Sequence, residues 1–202
     1  MSNFIFPSFY LPPISYFHYI KKSHKTLNVE IYENYVKQSY RTRSVIGTAN
    51  GPLNLIIPIK HTDKEKMPMK DVKISYDSNW QRLHWASITS AYRRTPYFEF
   101  YETELSDFYH KKETFLIDYN TKILKVLLRF LKINIPITFT EEYKENIPPP
   151  FDLRKQLHAK KEFKLATLPP YYHIFEEKTG FIANLSIIDL LFHQGPYSED
   201  YF

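Results

Sequence analysis

The first thirty residues alternate apolar stretches with a short amphipathic one. Residues 4–9 are aromatic or β-branched and predict a strand that ends at Leu11-Pro12-Pro13. After the prolines, apolar residues recur with helical spacing as far as Ile20, and residues 27–31 predict a second strand. Strand, helix and strand within about thirty residues is the length of a βαβ unit, so the two strands are predicted to be parallel and buried.

Two further patterns predict strands. The pair Asn50-Gly51 lies between the apolar residues 44–46 and 53–59, and an Asn-Gly pair between two such runs predicts a β-hairpin. Beyond the hairpin, residues 71–76 alternate apolar and polar side chains, which predicts a half-exposed strand. These patterns add three strands to the βαβ unit.

From Asn79 onward the apolar period lengthens to that of a helix. Three helices are predicted: one that begins at Asn79 and is ended by Pro96, and two more over residues 97–109 and 115–131. The first helix is predicted to bury a single face. That face consists of Trp80, Leu83, His84, Ser87, Ile88, Ala91 and Tyr92.

The last third of the chain combines an irregular tract with a compact helix. Residues 133–140 predict a short strand, and residues 141–178 are charged and proline-rich, which predicts an irregular segment. An apolar helix over residues 185–192 is stopped by Gly195-Pro196. We therefore expect a single α/β or α+β domain spanning residues 1–202, with the βαβ-like unit and hairpin first, a helical middle, and a C-terminal helix packed on a small mixed sheet.

Composition narrows the compartment and the partners. The absence of cysteine excludes disulfides, thiolate metal ligands and thiol nucleophiles, and it fits a reducing cytosol. The N-terminus lacks the pattern of a signal peptide, and the longest apolar stretches fall far short of the ~20 residues that span a bilayer. We expect a cytoplasmic protein without membrane insertion. The net charge of +5 is spread over scattered basic doublets, so nucleic acid is not an expected partner.

Several familiar catalytic motifs are missing. With only 4 glycines, the chain has no glycine-rich phosphate loop or dinucleotide fingerprint. The 8 histidines show no His-Glu-x-x-His or other short ligand spacing, and there is no Gly-x-Ser-x-Gly elbow. We therefore expect no metal and no cofactor.

The richest polar stretch, residues 33–43, follows the second predicted strand directly. Ligands of open α/β sheets bind beyond the carboxyl ends of strands, where this stretch would lie. Glu33, Lys37 and Arg41 would share one face of a helix or one side of a strand, so either geometry places Lys37 beside Arg41. Such cations suit a phosphate or carboxylate, with Glu33 as a possible base. The same spacing is also ordinary for ion pairs on a solvated helix.

Two residues in apolar surroundings have two interpretations each. His84 lies on the apolar face of its predicted helix, where it could be a pocket acid or base or a hydrogen-bonded core histidine. Asp189 is a lone carboxylate among apolar residues, which suggests a perturbed functional group. Ser186 and Asp189 also match a capping box, with Ser186 at the N-cap and Asp189 three residues later.

Several motifs together resemble the WbqC-like family, particularly its shorter Bacteroidetes-type members. They are Tyr-Leu-Pro-Pro-Ile-Ser-Tyr-Phe at residues 10–17, the polar pattern of residues 33–43, Trp80-x-x-x-His84-x-x-x-Ile88 with Ala91-Tyr92 and Pro96-Tyr97-Phe98, and Asn-Leu-Ser-Ile-Ile-Asp-Leu-Leu-Phe at residues 184–192. Many members begin with His-Gln-Pro-x-Tyr-x-Pro. Residues 6–12 here read Phe-Pro-Ser-Phe-Tyr-Leu-Pro and lack that histidine.

The resemblance implies a role in the synthesis of O-antigen or another cell-surface polysaccharide. We therefore expect a transferase that acts on an anionic activated precursor, such as an activated sugar, with Glu33 and His84 as catalytic residues. The predicted ligand-binding residues are Asn34, Lys37, Gln38, Arg41, Arg43 and Asp189. The alternative is a non-catalytic binding or scaffold protein that recognises an anionic ligand or a partner enzyme, which the missing histidine favours.

Overall fold

The computed structural model describes residues 4–23, 25–61, 66–157 and 168–202. Within these ranges the strands are β1 (Ile5–Pro7), β2 (Leu27–Glu30), β3 (Arg43–Thr48), β4 (Gly51–Ile56) and β5 (Ile137–Phe139). The α-helices are α1 (Ile14–Lys22), α2 (Trp80–Tyr92), α3 (Phe98–His110), α4 (Leu116–Phe130), α5 (Leu153–Gln156), α6 (Glu176–Thr179) and α7 (Ile187–Gln194). Two 3₁₀ segments cover Met69–Asp71 and Gly195–Tyr201.

The predicted N-terminal βαβ unit is confirmed. β1 pairs in parallel with β2, with Phe6 opposite Val29, and α1 connects the two strands after Pro13 at its N-cap. β2 pairs in parallel with β5, so the strand order in this sheet is β1-β2-β5. The short strand predicted within residues 133–140 is confirmed as this third strand.

The predicted hairpin is also confirmed. β3 and β4 pair in antiparallel register from Arg43 opposite Ile56 to Thr48 opposite Gly51. Gly51 has a φ of 97°, a conformation that glycine adopts without the steric strain of a Cβ atom. The parallel and the antiparallel strands form two separate sheets in an α/β fold.

The strand predicted over residues 71–76 is wrong. The chain makes a 3₁₀ turn at Met69–Asp71 and then only isolated bridges, from Lys73 to Phe115 and from Ile74 to Ile59. Val72 and Ile74 are buried, so the apolar alternation is real. The buried side chains pack between the segments that contain Ile59 and Phe115, and neither of these segments forms a strand beside residues 71–76.

The three central helices follow the predicted pattern closely. α2 ends at Tyr92, before Pro96, and α3 and α4 lie within one or two residues of their predicted bounds. The buried face predicted for α2 wrongly included Leu83, which is 63% exposed, whereas His84, Ile88 and Tyr92 are buried as predicted. α7 is buried on all sides and packs against α1, α3 and β3.

A buried ionic cluster fastens the segment that follows residue 150 to the parallel sheet. Arg154 Nη1 donates to Glu30 Oε2 at 2.9 Å, and Arg154 Nε donates to Asp152 Oδ1 at 2.8 Å. All three side chains are buried, so the cluster holds α5 beside β1. The segment predicted to be irregular, residues 141–178, contains the short helix α5 and the first three residues of α6. Its residues 158–167 lie outside the described residues.

None of the helices in the described ranges is long and apolar enough to cross a membrane.

Candidate functional site

The polar stretch 33–43 is a turn, not a helix or a strand, until β3 begins at Arg43. Ser39 Oγ donates to the Val36 carbonyl at 2.6 Å, the Arg43 amide donates to the Ser39 carbonyl at 3.1 Å, and Gln38 has a φ of 56°. The interpretation that Lys37 and Arg41 share one face is therefore wrong. The reversal turns Lys37 into solvent and Arg41 into the core.

Arg41 and Glu33 form a buried bidentate ion pair. Arg41 Nε donates to Glu33 Oε1 at 2.8 Å, and Arg41 Nη2 donates to Oε2 at 2.6 Å. The two residues are 1% and 5% exposed, and the guanidinium lies over the Phe9 ring. Burial raises the pKa of Glu33 above its usual value, although Arg41 acts in the opposite direction. Because both carboxylate oxygens bind Arg41, this pair fastens the turn to the core.

The other predicted ligand-binding residues of this stretch lie on the surface of the turn. Asn34, Lys37 and Gln38 are exposed, and Arg43 is half-buried in β3. The structure thus separates these four residues from the buried side chain of Arg41. Whether they bind a ligand stays a prediction.

His84 is a buried histidine in a chain of hydrogen-bonded rings. The Tyr10 hydroxyl is 3.0 Å from His84 Nδ1 and 2.9 Å from the Tyr109 hydroxyl. Burial lowers the pKa of His84 from 6.5 to about 4, and a hydrogen bond with the Ile56 backbone acts in the opposite direction. Tyr10 belongs to the motif at residues 10–17, so two of the family-like motifs meet at this contact.

The pKa of His84 predicts a loss of stability in acid. Its neutral form is favoured in the folded protein, so its contribution is complete above pH 6.5 and is lost as the pH falls towards about 4. The full loss is about 3 kcal/mol, since one pKa unit corresponds to ~1.4 kcal/mol. Urea unfolding across this range should show a shallower pH dependence for His84→Gln than for the wild type. The exposed histidine variant His110→Gln is the control, and equal pH dependence in all three proteins would contradict the prediction.

Asp189 is a fully buried carboxylate that accepts two tyrosine hydroxyls. Tyr92 donates to Oδ2 at 2.6 Å, and Tyr171 donates to Oδ1 at 2.7 Å. Burial by itself would raise the pKa of Asp189, but the His193 ring and the two hydroxyls together lower it. The carboxylate is therefore held ionised by donors that come from α2, from α7 and from residue 171.

The capping-box interpretation of Ser186 and Asp189 is wrong. Ser186 is the N-cap of α7, but its hydroxyl donates to the Leu11 carbonyl at 3.0 Å, and its amide donates to the Val45 carbonyl at 2.8 Å. The Asp189 side chain turns away from the helix end and binds the two tyrosines. Ser186 and Asp189 thus connect α7 to other segments of the fold.

The approach of β3 to Asp189 leaves room only for glycine. The Gly47 amide donates to the Tyr92 hydroxyl at 3.0 Å, and a Cβ atom on Gly47 would lie 2.9 Å from Asp189 Oδ2. A shift of Asp189 Oδ2 to make room would disturb the hydrogen bond that this oxygen accepts from Tyr92. Gly47 therefore lets the strand, the tyrosine and the carboxylate meet.

Residues 171–175, which we name the strap, are fastened to α7. Tyr171 donates its hydroxyl to Asp189, and the Ile174 amide donates to His193 Nε2 at 3.0 Å. Because His193 Nε2 accepts a hydrogen bond, Nδ1 carries the ring proton and donates to the Asp189 carbonyl at 2.7 Å. Asp189 and His193 thus determine where the strap lies.

The strap and α2 line an open cavity of about 930 Å³, which we name the α2 cleft. A cavity of this volume suits a ligand of the size of a cofactor or an activated sugar. One wall is a stripe of α2 residues spaced three or four apart. The stripe consists of Arg82, Trp85, Ala86, Thr89, Ser90 and Arg93, and Ala91, Arg94, Tyr109, His110, Ile174 and Phe175 complete the lining.

Among the described residues, the lining of the cleft is basic and contains no carboxylate. In the part of the chain that the structure describes, the guanidinium groups of Arg82 and Arg94 have no hydrogen-bond or ion-pair partner, and the Thr89 hydroxyl is buried without one. Arg93 makes a long, exposed contact to Glu102 at 3.7 Å. Hydrogen-bond donors therefore dominate the cleft, and an anionic ligand would satisfy them.

The cations lie at the two ends of the cleft. Arg82 and Arg93 are about three helical turns apart on α2, which separates their Cα atoms by roughly 16 Å. Gln81 Nε2 donates to the carbonyls of Phe108 and Lys111, so the end of α3 that carries His110 lies beside the Arg82 end. The cleft is thus elongated, with basic residues at each end and Trp85 to Ser90 between them.

Sequence reasoning alone missed the cleft, although one of its walls left a signal. The stripe from Arg82 to Arg93 has helical spacing. The apolar face of the same helix has the stronger pattern, however, and Arg93-Arg94 is one of several basic doublets scattered along the chain. The strap left no signal, because residues 141–178 carry no regular pattern. Among the predicted residues, neither Glu33 nor Asp189 lines the cleft, and His84 reaches it only through Tyr10 and Tyr109. The described residues contain no group of three or more acidic or histidine side chains that could hold a metal ion.

The fold and the cleft define a small α/β protein with a basic, partly apolar site between a helix and a strap. A model of the WbqC-like protein family matches residues 8–166, which is most of the chain, and this protein belongs to that family. Comparisons with curated proteins and with solved structures gave no significant match.

Proposed function

We propose that this protein is a transferase of cell-surface polysaccharide synthesis that binds an anionic activated precursor in the α2 cleft. The family supports the pathway, and the cleft supports the class of ligand. The observation that carries the proposal is a lining with four basic side chains and no carboxylate, in which two arginines have no partner within the described residues. Guanidinium groups bind phosphate in a planar, two-pronged geometry, so an activated phosphate ester is the ligand that they suit best.

The arginine doublet and Tyr109 have separate roles in this proposal. The Arg93-Arg94 doublet binds phosphate and stabilises the negative charge that develops on a phosphate leaving group. Tyr109 lines the cleft and connects through Tyr10 to the neutral His84, so this chain of hydrogen bonds would hold the Tyr109 hydroxyl in position beside an acceptor hydroxyl. Glu33 takes no part in this arrangement, because Arg41 binds both of its oxygens.

Inorganic pyrophosphate tests the binding step, because it has the charge of an activated precursor and neither sugar nor chain. We expect it to raise the melting temperature of the wild type by mass action. The double variant Arg82→Ala, Arg94→Ala should weaken binding at least about tenfold, since a hydrogen bond to a charged group contributes ~1.5–3 kcal/mol. Isothermal titration calorimetry measures both affinities.

Lys37→Ala is the matched control, since Lys37 is also an exposed cation and belongs to the predicted site at residues 33–43. We expect pyrophosphate to bind this variant as it binds the wild type. Loss of binding in Lys37→Ala, with the double arginine variant unaffected, would move the site to the turn and contradict the proposal.

A second candidate function is binding without turnover, as in a scaffold protein. Two observations favour it: no carboxylate lines the cleft in the part of the chain that the structure describes, and His84 lies behind Tyr109 and Tyr10. Incubation with an acceptor sugar and two activated sugars, one on a nucleoside diphosphate and one on an alkyl diphosphate, discriminates between the two. A transferase releases the diphosphate leaving group from one of them and loses this activity in Tyr109→Phe. A scaffold binds pyrophosphate in an arginine-dependent way, releases neither leaving group and retains a stoichiometric partner protein in a pull-down.

A further inference from the structure

We propose that the ligand of the α2 cleft is an amphiphile, an aliphatic chain that ends in a phosphate group. This inference rests on the proposed function and names the class of its substrate. The phosphate binds at the Arg93-Arg94 end, and the chain lies along the stripe of α2 towards Arg82. The juxtaposition that supports it is an apolar middle between two walls, with one guanidinium at each end, Arg82 and Arg94, that has no partner among the described residues.

The middle of the cleft is apolar on both sides. Trp85, Ala86 and Ala91 come from α2, and Ile174 and Phe175 come from the strap. Because the two walls are far apart in sequence, their apolar character is not the face of a single helix that was left uncovered. The strap is held in place by α7, so this apolar channel is built into the fold.

The same lining is poorly suited to a sugar or a nucleobase. The described residues of the lining include no side-chain amide or carboxylate to bind sugar hydroxyls or the edge of a base, and their neutral hydroxyls are those of Thr89, Ser90 and Tyr109. The Tyr109 hydroxyl is bound to Tyr10, and the Trp85 ring stacks on Tyr109 at 5.4 Å and on Phe98 at 6.1 Å. A ligand that needs few hydrogen bonds beyond its anionic end fits these surroundings best.

The charges determine which end of the cleft takes the phosphate. Arg93 and Arg94 are adjacent and directly follow the last residue of α2, whereas the other end has a single guanidinium, Arg82, with His110 beside it. Two guanidinium groups bind a doubly charged phosphate better than one does. The long stem of Arg82 can lie along an aliphatic chain while its charged end stays in water.

A series of alkyl phosphates from butyl to decyl, below their micelle concentrations, tests the inference by calorimetry. We expect affinity to rise about fourfold with each added methylene, the factor that corresponds to ~0.8 kcal/mol per buried group. Arg94→Ala should lower the affinity for every member by a similar factor. Ala86→Glu, a substitution on an exposed position in the middle of the stripe, should abolish the dependence on chain length.

Leu83→Glu is the control, because it adds the same charge to an exposed position of α2 outside the cleft. This variant should keep the wild-type dependence of affinity on chain length.

Four outcomes would contradict the inference or the proposal on which it rests. Affinity independent of chain length, with arginine-dependent binding of pyrophosphate retained, would overturn the assignment of an amphiphilic ligand and leave the proposed function standing. Equal binding of laurate or octyl glucoside would overturn the phosphate assignment. Binding to vesicles of anionic lipid without binding of single-chain phosphates would overturn the cleft as the site. Loss of arginine dependence for both probes would refute the proposed function itself.

Discussion

Arg41→Ala is expected to destabilise the protein by about 3–5 kcal/mol, because it leaves the Glu33 carboxylate buried without its partner. Glu33 is 5% exposed and receives both of its charge-assisted hydrogen bonds in this pair from Arg41. Burial already raises the pKa of Glu33, and loss of the guanidinium would raise it further and favour the protonated acid. Urea denaturation of the wild type and the variant at neutral pH measures the difference in the free energy of unfolding.

Two comparisons isolate the buried pair from the rest of the turn. Lys37→Ala removes an exposed cation from the same turn and should change the free energy of unfolding by no more than ~0.5 kcal/mol. The double variant Glu33→Gln, Arg41→Met should lose less than the sum of the single variants, because the two side chains interact directly. If Arg41→Ala unfolds with wild-type stability, Arg41 is not a structural anchor of the turn and the ligand-binding interpretation gains support.

Asp189→Ala is expected to destabilise the protein by about 2–6 kcal/mol. The substitution leaves the hydroxyls of Tyr92 and Tyr171 buried without an acceptor, and each unsatisfied group costs about 1–3 kcal/mol. Because Tyr171 holds one end of the strap, the amides of residues 171–175 should also exchange hydrogen faster than in the wild type. Denaturation and hydrogen exchange measure the two effects separately.

Two variants serve as controls for Asp189→Ala. Asp189→Asn keeps one acceptor oxygen and should lose less stability, while Asp200→Ala removes an exposed carboxylate near the C-terminus and should have little effect. If strap exchange in Asp189→Ala equals that of the wild type, the strap does not depend on this carboxylate. In that case Asp189 would be a core residue without influence on the α2 cleft.

The two buried carboxylates show why polar residues in family-like motifs need not touch a ligand. Glu33 and Asp189 both stand out in the sequence as charges in informative positions. Each one instead organises a segment, Glu33 the turn at residues 33–43 and Asp189 the strap that forms a wall of the cleft. A substitution at Asp189 would thus change the wall of the proposed ligand site through the strap, without a contact between Asp189 and the cleft.

Secondary-structure elements that depend on neighbouring residues could be predicted from the sequence. The hairpin depends on the Asn50-Gly51 pair, α1 on the proline that precedes it, and α2 to α4 on their 3.6-residue apolar period, so adjacent residues carry the information. The parallel βαβ unit follows from spacing alone, because a short crossover leaves few other topologies. The α/β class and the family are therefore written in local patterns and short motifs of the chain.

Tertiary structure alone decided the rest, because the deciding partners are distant in the chain. The hydrogen bonds of His84 lead to Tyr10 and on to Tyr109, and Asp189 binds Tyr92 and Tyr171. No local sequence pattern predicts such distant pairings. The stretch at residues 33–43 had a pattern compatible with a helix or a strand, and burial of the Glu33–Arg41 pair imposed a turn instead. The α2 cleft exists only where a helix stripe meets the strap. The sequence determined most of the elements, and packing determined which charges were buried and which remained exposed in the α2 cleft.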